Sequence, residues 1–240
     1  MRIGIVIGTR PEVMKNYAIV QALRAAEVDF FVLHTNQHQD PLLRETIFSQ
    51  MGYAPDFIFP QPYSVGAAID WVCDLIHSLQ IDLILVNGDT AASIIGAIAA
   101  VYSDVGLVHV EAGLRAFDNC MYEERNRIMV DSAAHYLFTY TQHHAEYLNK
   151  IPDLRGRIFN VGNTTIDLIQ DFSAELVKLR SDRYAYITLH RKEFTDSRTK
   201  MIDVFSTLNT LAGEFDAMIF PMHPRTRSTM KDHGLSLDLL

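Results

Sequence analysis

The feature that most restricts the fold is a rhythm. Short runs of β-branched and apolar residues recur at 2–8 (RIGIVIG), 28–34 (VDFFVLH), 82–87, 106–111, 135–140, 157–161, 184–189 and 216–221. Segments of helical length separate them, near 11–26, 40–51, 64–79, 90–102, 122–133, 142–149, 164–180 and 196–213. Antiparallel strands need only a hairpin between them, whereas parallel strands need a long crossover, usually a helix. The alternation therefore predicts an α/β protein, a doubly wound parallel sheet with helices on both faces. The rhythm restarts at YAYITL, which divides the chain into a first domain at 1–170 and a second at 171–240. With only two strands, the second sheet is too small to stand alone. The expectation is that the chain stops inside its second domain or that another chain supplies the rest.

Composition narrows the class of function. The 240 residues are 48% hydrophobic and 21% charged, as expected of a soluble globular protein. A formal charge of −8 without a dense basic cluster excludes nucleic acid as the partner. No run of about eighteen apolar residues occurs, so no membrane insertion is expected. The opening MRIGIVIGTRPE is too short an apolar run for a secretory signal. Cys73 and Cys120 stand far apart without a CxxC or a histidine at metal spacing, which predicts neither a disulfide framework nor a metal site. A cytoplasmic protein is expected.

In open parallel sheets ligands sit outside the carboxyl ends of the strands, so the strand exits are where chemistry is sought. The segment from Asn87 to Arg127 places Asp89, Glu111 and Glu123 at or just beyond the ends of regular elements, the first two at strand exits and the third opening a helix. Each has a plain structural explanation: Asp89 as a helix cap, Glu111 as a turn, Glu123 as a charge favoured by a helix N-terminus. Three at once point to a shared crevice. Gly8-Thr9-Arg10-Pro11-Glu12, with Lys15, suits a phosphate at a helix start, but Thr9 and Glu12 equally form a capping box. Glycines at 4 and 8 do not make GxGxxG, so no dinucleotide cofactor is indicated. His190, flanked by Arg191 and Lys192, is a candidate for contacting a leaving phosphate. His223 is a weaker candidate of the same kind, and the Gln37-His38 pair reads as either a ligand contact or a turn.

Taken together, GTRPEVMK (8–15), HTNQHQD (34–40), NGDTAAS (87–93), HVEAGLRAFD (109–118), EERNR (123–127), NVGNTTIDLI (160–169), TLHRKE (188–193) and PMHPR (221–225) resemble, in this order, the non-hydrolysing UDP-N-acetylglucosamine 2-epimerases. The resemblance covers essentially the whole chain. It implies a glycosyltransferase-B-like fold of two Rossmann-like domains, the second for nucleotide binding and incomplete here. It implies a UDP-N-acetylhexosamine ligand, no cofactor, and a homodimer. Carried over position by position, the catalytic residues are Asp89, Glu111, Glu123 and His190. Arg10 and Lys15 join Asp89, Glu111 and His190 in contacting substrate, while Gln37, His38, Arg191 and His223 fall in a regulatory region. Gln39 and Asp40 depart from the pattern there, as do Tyr122, where a proline is usual, and Arg125.

The hydrogen on C2 of an acetamido sugar is not acidic, because no carbonyl adjoins that carbon. Without a dinucleotide to oxidise a neighbouring hydroxyl, the route left is expulsion of UDP from C1. That needs a cationic cradle for the diphosphate and carboxylates to remove and return the proton. The reaction expected is interconversion of UDP-N-acetylglucosamine and UDP-N-acetylmannosamine through 2-acetamidoglucal. The alternatives are a binding remnant without turnover and a hydrolysing epimerase that releases N-acetylmannosamine and UDP. A glycosyltransferase of the same fold is disfavoured by the EAGLR and GDT segments.

Overall fold

The computed structural model describes residues 1–37, 41–60, 62–175 and 180–235. The chain divides into two compact units, Met1–Glu175 and Leu176–Leu240.

Unit 1 is built on a seven-stranded parallel sheet: β1 (Arg2–Ile7), β2 (Asp29–His34), β3 (Phe57–Ile58), β4 (Leu83–Asn87), β5 (Gly106–Val110), β6 (Tyr136–Thr139) and β7 (Arg157–Asn160). The order is β3-β2-β1-β4-β5-β6-β7, so the winding reverses between β1 and β4. Its helices are α1 (Arg10–Lys15), α2 (Tyr17–Ala25), α3 (Pro41–Met51), α4 (Val65–Leu79), α5 (Ala91–Tyr102), α6 (Tyr122–Ala133), α7 (Gln142–Asn149) and α8 (Thr164–Asp171).

Alternation along the strands divides the core in two. Ile3, Ile5 and Ile7 face one cluster with Val13, Val20, Leu85, Val108 and Leu168, while Val6, Ile84, Val86 and Leu107 face another with Val72 and Ile95. This two-sided burial is why the strands read as continuous apolar runs. Helix α5 lies close over β1 and β4, where a Cβ on Gly96 would come within 2.5 Å of Val86 Cγ1. That closeness needs the small residues of AASIIGAIAA.

Local chemistry explains where the elements depart from expectation. The helix expected at 11–26 is two helices, because Asn16 turns its amide back to the Glu12 carbonyl at 2.8 Å and accepts from Asn87 at 3.4 Å. An asparagine bonding its own backbone competes with the helix ladder. Strand β3 was not expected; its two residues carry no period, and its pairing is anchored by Asp56, which accepts from the Val32 amide at 2.7 Å. Helix α8 ends at Asp171 rather than running to 180, because Phe172 turns edge-on against Tyr17 at 5.5 Å and a 3-10 turn follows at Ser173–Glu175.

Unit 2 contains a two-stranded parallel sheet, β8 (Tyr184–Tyr186) with β9 (Ala217–Ile219). Its helices are α9 (Lys192–Thr195), α10 (Arg198–Leu211) and α11 (Pro224–Asp232), of which the sequence pattern placed α10 alone. Helix α11 opens with His223 as N-cap and a proline in its first turn, a start signal present in HPR. A small core of Met201, Phe205, Met230 and Leu235 holds this unit. Among the described residues, no helix is long and apolar enough to cross a membrane.

Candidate active site

Two central strands of unit 1 and one helix deliver the candidate acids. After β4 the chain turns through Gly88, φ +83°, so that Asp89 and Thr90 lie at the start of α5. After β5, Glu111 itself adopts φ +74° and Gly113 φ +80°. Left-handed backbone costs a non-glycine residue about 1–2 kcal/mol and persists only where surroundings impose it. Glu123 and Glu124 open α6.

These side chains gather on one edge of the sheet. A Cβ on Gly88 would meet Glu111 Oε2 at 2.9 Å and Lys15 Nζ at 3.5 Å, so the Glu111 carboxylate and the Lys15 ammonium lie directly over the residue before Asp89. Lys15 donates to Glu111, and the two side chains are 28% and 12% exposed. Arg127, on α6, forks between two acids, giving one amine to Asp89 Oδ2 and the other to Glu124 Oε2 at 2.6 Å. The neighbouring Asn126 amide donates to the Asp89 carbonyl at 2.9 Å. Glu124 also accepts from the Ala116 and Phe117 amides at 2.9 and 3.2 Å, tying the loop after Arg115 to α6. The Tyr122 phenol is pushed up first by burial, then by the charge of Glu123 and its hydrogen bond, then by Asp89.

Arg10 is exposed at the first residue of α1. The capping-box reading of GTRPE holds, and it is wider than a cap. Glu12, fully buried, accepts from the Gly8 and Thr9 amides at 3.0 and 2.8 Å, from the Thr9 hydroxyl at 2.8 Å, and from the Thr90 hydroxyl at 2.7 Å. It thus joins the β1 exit to the residue after Asp89. Burial raises its pKa, against the pull of those four bonds. Gln37 lies beside Gly8, where a Cβ would meet its Oε1 at 3.2 Å. His38 falls outside the described residues.

Beneath the acids lies a buried polar cluster. His109 on β5 sets Nδ1 2.6 Å from Asp131 Oδ1 and Nε2 3.0 Å from the Gly88 carbonyl. Asp131 Oδ2 accepts from the Gly113 amide at 3.2 Å and from Arg115 at 2.7 Å. Burial works against the Asp131 charge, but the bond and charge of His109 and then of Arg115 outweigh it and hold its carboxyl below the usual range.

Unit 2 carries the other candidates. His190 is exposed beyond β8, its Nδ1 3.2 Å from the Thr188 hydroxyl, with its ring stacked on His223 at 5.3 Å. His223 Nδ1 accepts from the Arg225 amide at 3.2 Å, which leaves the proton on Nε2. Arg191 is exposed. Among the described residues, no three His, Cys, Asp or Glu side chains gather as a metal would require.

Sequence reasoning missed Arg127, Glu124 and the His109–Asp131 pair. Arg127 had a signal, since it stands three residues after Glu124 and four after Glu123 on one helix, where opposite charges meet. The buried pair had none, as His109 reads as an ordinary strand residue.

The comparisons with known proteins decide the family. A sequence model described as UDP-N-acetylglucosamine 2-epimerase matches residues 21–238. The chain belongs to that family. It is 30% identical to the UDP-N-acetylglucosamine 2-epimerase of Methanococcus maripaludis, over 98% of this chain and 68% of that protein. It is 31% identical to the UDP-2,3-diacetamido-2,3-dideoxy-D-glucuronate 2-epimerase of Pseudomonas aeruginosa, over 100% of this chain and 71% of that one. Among solved structures it resembles the Methanocaldococcus jannaschii UDP-GlcNAc 2-epimerase in complex with UDP-GlcNAc and UDP, with a TM-score of 0.84, 29% identity, and coverage of 98% of this chain and 69% of that one. The fold class is accordingly α/β, glycosyltransferase-B-like, as expected for the epimerase family.

Proposed function

We propose that this protein is a UDP-N-acetylglucosamine 2-epimerase that interconverts UDP-N-acetylglucosamine and UDP-N-acetylmannosamine. Membership of the family supports the reaction. The observation that supports the assignment of residues is that Glu111 and Asp89, at the β5 and β4 exits, each pair with a cation from another element, Lys15 and Arg127, and that Arg127 shares helix α6 with Glu123.

In this reading a carboxylate takes the proton from C2 as the C1–O bond breaks. The electron pair of the C–H bond becomes the C1=C2 bond of 2-acetamidoglucal, and UDP leaves with the C1–O pair. Return of a proton to the opposite face of C2, with UDP re-adding at C1, completes the inversion. Arg10, Lys15 and His190 serve the diphosphate. Lys15 has a second role, because a diphosphate competing for its ammonium frees Glu111 to act as base. Gln37, His38, Arg191 and His223 belong to a regulatory region in the same reading. The free thiols Cys73 and Cys120 support a reducing, cytoplasmic setting.

The Pseudomonas relative supports a second substrate for the same inversion, a UDP sugar with a 3-acetamido group and a 6-carboxylate. Both substrates are assayed in heavy water. The expected product is UDP-N-acetylmannosamine with deuterium at C2. Conversion of the diacetamido sugar alone would reassign the substrate, and product without deuterium would rule out the elimination. Release of free N-acetylmannosamine would make the enzyme a hydrolysing one, and binding of UDP without conversion a remnant.

A further inference from the structure

The acids come from three separate elements, and one buried pair touches all three. Gly88, one residue before Asp89, is held twice: its amide donates to the Val110 carbonyl at 3.0 Å, and its carbonyl faces His109 Nε2 at 3.0 Å. The turn that contains Glu111 is held at Gly113, whose amide donates to Asp131 at 3.2 Å. Helix α6, which carries Glu123 and Arg127, is held through Asp131 itself, 2.6 Å from His109 and 2.7 Å from Arg115. His109 and Asp131 are 0% and 1% exposed, so water does not replace any of these bonds.

Hydrogen-bond bookkeeping fixes the ring's charge. Both nitrogens of His109 face acceptors, a carboxylate on one side and a carbonyl on the other. A neutral imidazole has a single N–H and would turn a bare lone pair on one of them. Two donors require the imidazolium, and the Asp131 carboxylate beside it supplies the compensating charge that a buried cation needs.

We propose that His109, held as an imidazolium by Asp131, is a positioning residue for the epimerisation, setting the backbone from which Asp89, Glu111 and Glu123 reach the sugar. It touches no substrate. Its contribution is the register of three carboxylates that act on two faces of one carbon, where a misplacement of about 1 Å costs ~100-fold in rate. The strained Glu111 backbone gives the pair its task, since a left-handed glutamate stays so only while Gly113 and Gly88 are pinned.

The inference rests on the epimerase reading, and its test separates the two. Nitrogen-15 spectra of the histidine-labelled full chain at pH 7.5, with His109 assigned through contacts to its β5 neighbours, are expected to show both ring nitrogens protonated. One protonated and one bare nitrogen would overturn the charge assignment, whether or not the protein turns over. His109→Gln keeps a donor for the Gly88 carbonyl and loses the charged bond to Asp131. Its kcat per folded molecule is expected to fall about 100-fold, with KM for UDP-N-acetylglucosamine changed by less than about three-fold. A purely structural role would lower the melting temperature and leave the kcat of the folded fraction at the parent value, and that result overturns the positioning role. If the parent chain converts no UDP sugar, the functional reading fails while the ring spectra still decide the state of the pair.

Discussion

Two buried carboxyls give the molecule opposite responses to acid. Burial raises the Glu12 pKa above 4.5, so as pH falls toward 4.5 the folded state takes its proton before the unfolded chain does, and stability rises over that window. Asp131 is held below 3.8, so its stabilisation is complete above 3.8 and is lost as pH falls through its folded value. Urea midpoints measured between pH 3 and 7 are expected to show both effects. Glu12→Gln should remove the gain above 4.5, and Asp131→Asn should flatten the loss below 3.8. At pH 7 Asp131→Asn is expected to cost about 3–5 kcal/mol, because it leaves His109 and Arg115 buried without their counter-charge. Glu12→Gln should cost roughly 1 kcal/mol or less, since the Thr90 hydroxyl can turn to accept from the new amide. These are also the residues the sequence hid. Glu12 was legible as a cap within its own turn, but its bond to Thr90 spans 78 residues and the Lys15–Glu111 pair spans 96. The positions of Asp89 and Glu111 at strand exits and of Glu123 at a helix start were legible because such ends are defined by local pattern alone.

At the scale of elements, the site depends on turns more than on the strands that precede them. Gly113 shows this most clearly: a Cβ there would lie 2.9 Å from the His144 carbonyl and 3.0 Å from Leu148 Cγ, on a backbone at φ +80°. Gly162 has a similar φ of +85° and nothing within 4 Å. Gly113→Ala is therefore expected to cost ~3 kcal/mol, strain and overpacking together, and Gly162→Ala about 1 kcal/mol from strain alone. Chemical denaturation of the two variants checks the difference, and equal losses would mean that the α7 backbone yields to the added methyl. The same dependence on turns explains which elements the sequence concealed. Apolar runs marked β1, β2, β4, β5, β6 and β7, most plainly β1, β4 and β5, where burial on both faces leaves few polar positions to blur them. Strand β3 and the break at Asn16 were invisible, since each depends on a bond to a distant segment, the Val32 amide donating to Asp56 and the Asn87 amide donating to Asn16.

At the scale of the whole molecule, the two units differ in how much fold they own. Unit 1 has seven strands and a core on each face of its sheet. Among its described residues, unit 2 has two strands and four fully or nearly buried core residues, Met201, Phe205, Met230 and Leu235. A two-stranded sheet is marginal in water, whereas three or more strands backed by helices fold independently. A fragment of residues 1–175 is thus expected to unfold cooperatively in urea at a midpoint close to the first transition of the full chain. A fragment of residues 176–240 is expected to show no cooperative transition. The first fragment retains every bond that places Asp89, Glu111 and Glu123 and lacks His190, so under the proposed roles it should fold without epimerising UDP-N-acetylglucosamine. Circular dichroism with the heavy-water assay checks both halves of this expectation. A fragment 1–175 that melts without cooperativity would mean that the doubly wound sheet borrows stability from the residues after 175. A fragment that epimerises would remove His190 from the reaction and leave the chemistry wholly to the edge formed by β1, β4 and β5.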